Sequence, residues 1–402
     1  MIKLFRTALL LFTCCNVHAA ENVLTPEQVS DGWISLFDGE TLFGWQATSD
    51  ANWHVEDGTI KVESGDEGWL MTTSEFADYE LHVEFKAPAD TNSGIFLRTP
   101  LAPTDPTKDC YEFNIAPNEN PFPTGSLVGR LKWDSARQTE YPELKTGWSP
   151  VDLVVEGDRI VNKAFARQAI TYTDPNPLSR GHIGLQFREG PIAFRNVRLK
   201  PLGLKPIFNG RDLTGWNNDR VEESEFTVSG QKTLQVKNGP GQLESKDAYG
   251  DFILQLQCKV NGDGLNSGIF FRCIPGDKMM GYESQIHNGM VDGDPTKPVD
   301  CGTGGIFRRQ NARRIVARDH EWFAKTIVAN GPHMAVWVNG YQVSDWTDDR
   351  PANENPRRGL RLEPGTLMIQ GHDPTTDLEF RDLKIAELPG EPEAFAPGAT
   401  GR

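Results

Sequence analysis

A carboxylate and a carboxamide stand two residues apart at two places in the chain. Glu112 and Asn114 lie in Tyr111-Glu112-Phe113-Asn114-Ile115, and Glu283 and Gln285 lie in Tyr282-Glu283-Ser284-Gln285-Ile286. Residues two apart on an extended strand share a face, so each pair sits opposite a mostly apolar set, and His287 continues the second series. Arg98 and Arg272 each end an apolar run, and Gln186 and Gln370 recur near the close of each segment, with Arg188 and His372 two positions on. Arginine, carboxylate and carboxamide together offer the bidentate donors and acceptors that suit vicinal sugar hydroxyls. Against this stands a plainer reading, in which each Arg–Glu pair is a buried tie between strands and the glutamines are ordinary sheet-surface residues. His287 and His372 can exchange protons near neutral pH; the first series has Ala116 and Arg188 in their places, so the second is expected to be the catalytic one.

The elements that must position these residues come from a duplication. Phe37-Asp38-Gly39 through Gly44-Trp45 returns as Phe208-Asn209-Gly210 through Gly215-Trp216, and Asn92-Ser93-Gly94-Ile95-Phe96-Leu97-Arg98 returns as Asn266-Ser267-Gly268-Ile269-Phe270-Phe271-Arg272. A spacing of 171 to 174 residues is far longer than a solenoid repeat, so each copy is a domain of its own. The copies are expected over 31–202 and 203–388, after a lead-in at 21–30 and before a loose tail at 389–402. Period-2 patterns dominate: Tyr79, Leu81, Val83 and Phe85 alternate with polar residues, as do Phe252, Leu254, Leu256 and Cys258, and Asn339-Gly340 marks a hairpin turn. No stretch carries a convincing 3.6-residue period. Each copy is therefore expected to be all-β, an antiparallel β-sandwich or jelly roll with one sheet face free to form a groove. Phe37, Trp45, Phe208 and Trp216 read as turn and core anchors, while Trp69, Trp133, Trp148, Trp322 and Trp346 are candidates to stack on a sugar ring.

The ends and the charge set further bounds. Lys3 and Arg6, the apolar run Ala8–Cys15 and Val17-His18-Ala19 form a secretory signal over residues 1–19, cut before Ala20. Lipid attachment at Cys14 or Cys15 is disfavoured by the bulky Phe12. No later run approaches the ~20 apolar residues of a membrane span. The formal charge of −15, or −17 once Lys3 and Arg6 are removed, argues against nucleic acid as a partner. Cys110, Cys258, Cys273 and Cys301 remain, in no zinc-binding pattern. Cys258 reads as a core thiol, and a Cys273–Cys301 disulfide is conceivable in an oxidising compartment. Asp263, Asp292 and Asp294 lack an EF-hand spacing, which leaves a calcium site without support.

The Phe-x-Gly-x-x-Leu-x-Gly-Trp opening, the Asn-Ser-Gly-Ile-Phe-Leu/Phe-Arg block, the Tyr-Glu-x-Asn/Gln-Ile strand and the closing Ile-Gly-Leu-Gln with Phe-Arg-Asn-Val-Arg-Leu resemble the 3-keto-disaccharide hydrolase family, in both copies. The resemblance implies concanavalin-A-like sandwiches, a bacterial periplasmic or extracellular protein, and glycosides oxidised at C3 as substrates. A 3-ketone acidifies the C2 proton, so one base could remove it and expel the C1 aglycone, with water adding afterwards. On this reading Glu283 or His287 is the base, Arg272 stabilises the enolate, His372 protonates the leaving oxygen, and Gln285 and Gln370 orient hydroxyls. Arg98, Glu112, Asn114 and Gln186 would hold a sugar in the first copy. No cofactor is required, though a divalent cation could share the role of Arg272. The alternatives are a tandem carbohydrate-binding protein without chemistry and, more remotely, an endo-glucanase, which needs two facing carboxylates.

Overall fold

A computed structural model describes residues 21–133, 147–164 and 170–390; the expected secretory signal and nearly all of the expected tail lie outside the described residues. The chain is almost wholly β and forms two sandwich-like halves, each with an eight-stranded and a five-stranded antiparallel sheet. In the first half the large sheet centres on Tyr79–Lys86 and Ile192–Pro201, and in the second on Phe252–Val260 and Asp377–Glu387. The alternation seen in the sequence decides which face turns inward. Tyr79, Leu81, Val83 and Phe85 are buried in the first core, and Phe252, Leu254, Leu256, Cys258 and Val260 in the second.

The smaller sheets carry the recurring polar residues. In the second half the strand order is Trp216–Asn217, Gly241–Tyr249, Gly365–Gly371, Ser267–Cys273, Tyr282–Ile286, and the first half repeats it with Trp45–Ala47, Gly68–Thr72, His182–Phe187, Ser93–Thr99, Tyr111–Ile115. The anchoring tryptophans close the loops they begin: Trp45 Nε1 donates to Leu36 O at 2.5 Å and Trp216 Nε1 to Ile207 O at 2.9 Å. Asn339 and Gly340 both take positive φ (50° and 77°) and close the expected hairpin. One short helix, Pro26–Ser30, escaped the periodicity; Thr25 and Gln28 form its capping box.

The halves are packed together. Trp337, on an outward-facing position of the second large sheet, is buried in the first hydrophobic cluster with Ile253, Val328 and Ala335. Its indole N–H donates to Ser35 O at 2.9 Å, and Gln255 Nε2 donates to Gly32 O at 2.8 Å. Arg180 meets Asp251 at 2.6 Å and Arg313 meets Asp38 at 2.7 Å across the same seam. Cys273 and Cys301 are free thiols, not the disulfide the sequence allowed. Cys273 packs on Phe270 and Met368 outside the smaller sheet, whereas Cys301 Sγ turns to Gln310 O at 3.2 Å.

Candidate functional site

The outer face of each smaller sheet carries two cross-strand rows. In the second half one row runs Glu244, Met368, Phe270, Glu283 and the adjoining positions pair Gln242 with Gln370 and Gly268 with Gln285. In the first half the matching rows are Met71, Gly184, Phe96, Glu112, and then Trp69 with Gln186 and Gly94 with Asn114. Directly opposed residues in an antiparallel pair share a face, so the predicted glutamates and carboxamides do converge. The glycine of the Asn-Ser-Gly block has its reason here. A Cβ on Gly268 would lie 2.6 Å from Glu283 Oε1, and one on Gly94 2.8 Å from Glu112 Oε1.

Both glutamates are almost completely buried, at 6% and 7% exposure, and burial pushes each carboxyl up to about 7. Desolvation penalises the charged form. For Glu283 the opposing influences come from Arg357 and Lys325, and for Glu112 from Arg188. The acceptor oxygens of Gln186, Gln285 and Gln370 are buried without a hydrogen-bond partner. Buried polar atoms are rarely left so, and three unfilled acceptors on these faces match a ligand rich in hydroxyl donors.

The arginines of the motif sit elsewhere. Arg98 and Arg272 each have φ of 48°, at a point where the strand gains one residue against its neighbour (Phe96 to Thr99 against Gly184 to His182; Phe270 to Cys273 against Met368 to Thr366). Such a bulge breaks the alternation of side chains, so the period-2 argument fails at that residue. Arg272 is fully buried and its guanidinium donates to Gly250 O at 3.0 Å, Gly331 O at 2.6 Å and Asp251 Oδ1 at 2.7 Å. Arg98 repeats the arrangement with Ala77 O, Gly157 O and Asp78 Oδ1. The buried ion pair is real, but its carboxylates are Asp78 and Asp251, not Glu112 and Glu283.

Other predicted residues divide. His372 is exposed, bonded through Nδ1 to Asp373 Oδ2 at 2.7 Å, and close enough to act electrostatically on Glu283. The His287 ring turns back on its own loop, where Nδ1 accepts from Gly289 N at 3.1 Å. Gln285 Nε2 donates to Asp300 Oδ2 at 3.0 Å and Asn266 Oδ1 at 3.2 Å. Asn114 is committed to the proline-rich loop that follows its strand, residues 116–123, through Phe122 O. Among the described residues no three His, Cys, Asp or Glu side chains converge as metal ligands.

Several residues at the face were missed by comparing the copies. Arg357 reaches Glu283 Oε2 at 3.4 Å, lies 5.3 Å from the Phe270 ring centroid and donates to Met279 O, so it joins two loops above the carboxyl. Met279 covers the carboxamides: its N–H donates to Gln242 Oε1 at 2.8 Å and its sulfur lies 3.2 Å from Gln370 Nε2. Glu244 accepts from Thr366 Oγ1 at 2.7 Å and Gly276 N at 3.0 Å. It stands three strands from Glu283, about 14 Å across the sheet at ~4.8 Å per strand. That separation exceeds the ~5–9.5 Å of paired glycosidase carboxylates.

The profile of the 3-keto-alpha-glucoside-1,2-lyase-like domain matches residues 32–200 and again 203–386. The chain belongs to this family. A 3-keto-disaccharide hydrolase of Bacteroides thetaiotaomicron is 37% identical over 79 residues, covering 17% of this chain and 27% of that protein. The chain thus spans about a quarter of the length of the curated relative it matches. Among solved structures, two putative glycosyl hydrolases of Parabacteroides distasonis align over 45% and 46% of this chain and 99% of each of theirs, at 18% and 24% identity and TM-scores of 0.40 and 0.36. Both family segments contain a complete two-row face, yet the floors differ. Trp69 and Met71 make the first apolar where Gln242 and Glu244 make the second polar.

Among the described residues no helix is long and apolar enough to cross a membrane.

Proposed function

We infer that the second half cleaves 3-keto-glycosides by elimination and rehydration, with Glu283 as the base. The observation that carries this reading is the Glu283 carboxyl, buried on the sheet face and raised to about 7, where a base is half-available at neutral pH. Glu283 takes the C2 proton of the oxidised sugar. The C–H electron pair forms the C1=C2 bond, the C1–O bond to the aglycone breaks, and its oxygen leaves with a proton supplied by His372 or water. Water then adds to C1 of the enone and C2 regains a proton, which gives net hydrolysis. Arg357, not Arg272, is the cation proposed to face the developing enolate oxygen. Gln285 and Gln370 offer their unpartnered oxygens to ring hydroxyls. The first half, with Trp69 edge-on to Phe96 at 5.6 Å, is proposed to bind sugar through its apolar floor.

The test is aglycone release from a 3-keto-glucoside and a 3-keto-disaccharide, measured for the purified protein and for Glu283→Gln. Turnover that the substitution abolishes is expected. Stoichiometric binding of an unoxidised glycan, with no turnover of either keto substrate, would instead establish the tandem carbohydrate-binding alternative.

A further inference from the structure

Lys325 has no part in the chemistry above, yet it is a fully buried lysine directly behind the strand that carries Glu283 and Gln285. It lies on Trp322–Asn330 of the large sheet, in register with Leu256, and is 1% exposed. Its ammonium donates to two backbone carbonyls, Ser284 O and Gln285 O, both at 2.9 Å. The matching position of the first half is Val151, in register with Val83. The facing position changes with it: Phe113, in the first core, corresponds to Ser284, which is also fully buried. A large-plus-small apolar pair has become a small-plus-long polar pair of similar bulk, so the lysine stem fills space that the phenyl ring occupies in the other half. A buried ammonium without a hydrogen-bonded carboxylate costs several kcal/mol, and packing alone gives no reason to prefer it to the Phe–Val solution.

We propose that Lys325 is a positioning residue of the second site: it grips the Tyr282–Ile286 strand from the core side and sets a positive charge behind the Glu283 carboxyl. The groups facing Lys325 from the elements around it are Cys258, Glu283 and Cys301. Those facing Glu283 are Arg357, Lys325, Asp300 and His372. Burial drives Lys325 down to about 7 and Glu283 up to about 7, each partly restrained by the other's charge. The pair therefore exchanges its charged and neutral forms around neutral pH, a coupled titration that the Val151 half cannot have. The coupling is confined to the second half although the glutamates of both halves are equally raised, and it rests on Glu283 being the base only where turnover is the readout.

The experiment follows the two carboxyls directly. Protein labelled with 13C at glutamate side chains is titrated by NMR, with Glu283 and Glu112 assigned from Glu283→Gln and Glu112→Gln. In Lys325→Met the Glu283 midpoint is expected to rise by about half a pH unit or more, since the lysine's charge holds the carboxyl down, while the Glu112 midpoint in the other half stays fixed. Lys325→Gln keeps an N–H donor for the strand carbonyls but not the charge. It serves if Lys325→Met does not fold, and is expected to shift Glu283 equally. An unmoved Glu283 midpoint in whichever variant folds overturns the proposal, even if the protein turns over keto-glycosides. If both midpoints behave as expected but no keto-glycoside is cleaved, the functional reading fails and the Lys325 coupling stands. Where turnover exists, the acid limb of the kcat/KM profile moves up with the Glu283 midpoint.

Discussion

Replacing Glu283 by glutamine should make the protein more stable in base while removing its activity. In the folded state the carboxyl titrates at about 7 against an ordinary value of 4.5. A group whose folded value is raised contributes its stability below the unfolded value and loses it as pH climbs through the folded one. Each pH unit is worth about 1.4 kcal/mol, so ionising Glu283 inside the fold costs about 3 kcal/mol by pH 9 and nothing at pH 4.5. Glutamine fills the same space and never ionises. Thermal melts of Glu283→Gln should match wild type near pH 4.5 and exceed it at pH 9, by roughly 6–12 °C at the ~2–4 °C per kcal/mol typical of domains this size. Over the same range, turnover of a keto-glycoside should fall by about 10² to 10⁴. Glu112→Gln should give the same gain in base, with turnover within a few-fold of wild type. A Glu283→Gln protein less stable than wild type at pH 9 would show that the carboxylate is held by partners, and the argument from burial would collapse.

Three further outcomes can be checked. Arg272→Met should cost about 3–5 kcal/mol, as removal of one partner of a buried ion pair does, with kcat per folded molecule little changed; a lost kcat at unchanged urea midpoint would return Arg272 to the reaction. His182, lowered by burial to about 4 and bonded through Nδ1 to Thr72 O at 2.7 Å, is neutral in the fold. Its contribution is intact above pH 6.5 and is lost as pH falls toward 4, about 3 kcal/mol in all, so His182→Gln should lose less stability than wild type between pH 7 and 4.5, and parallel acid curves would refute this. Gly268→Ala should displace the Glu283 carboxyl and lower kcat roughly tenfold or more, whereas Gly94→Ala should not; equal effects would mean that both halves react.

The architecture was legible because duplication and period-2 alternation are local signals. Both survive in Tyr79–Lys86 and Phe252–Val260, where every inward residue matches the pattern. The shared face of Glu112, Glu283 and the glutamines was legible for the same reason, since regular strands keep alternation intact. Arg98 and Arg272 misled because a one-residue bulge reversed their direction, and nothing in Ile-Phe-Phe-Arg announces a positive φ. Comparison of the copies was blind to Gln242, Glu244 and Lys325 by construction, as these are the positions where the copies differ. Arg357 lies in a loop over the face rather than on a strand, so no periodicity could direct it to Glu283.

Trp337 belongs to one half by sequence and to the other by burial. Its ring completes a core drawn mostly from residues between Ile34 and Leu199. The two halves are therefore no longer interchangeable beads on a string. A chain cut at 202 would leave the first core missing an indole-sized wall, and the released second half would carry Trp337, Val328 and Ala335 bare on its sheet, a surface prone to self-association. The duplication that created two equal parts has become a contract between unequal ones, in which the later-made half is needed for the earlier half to stand.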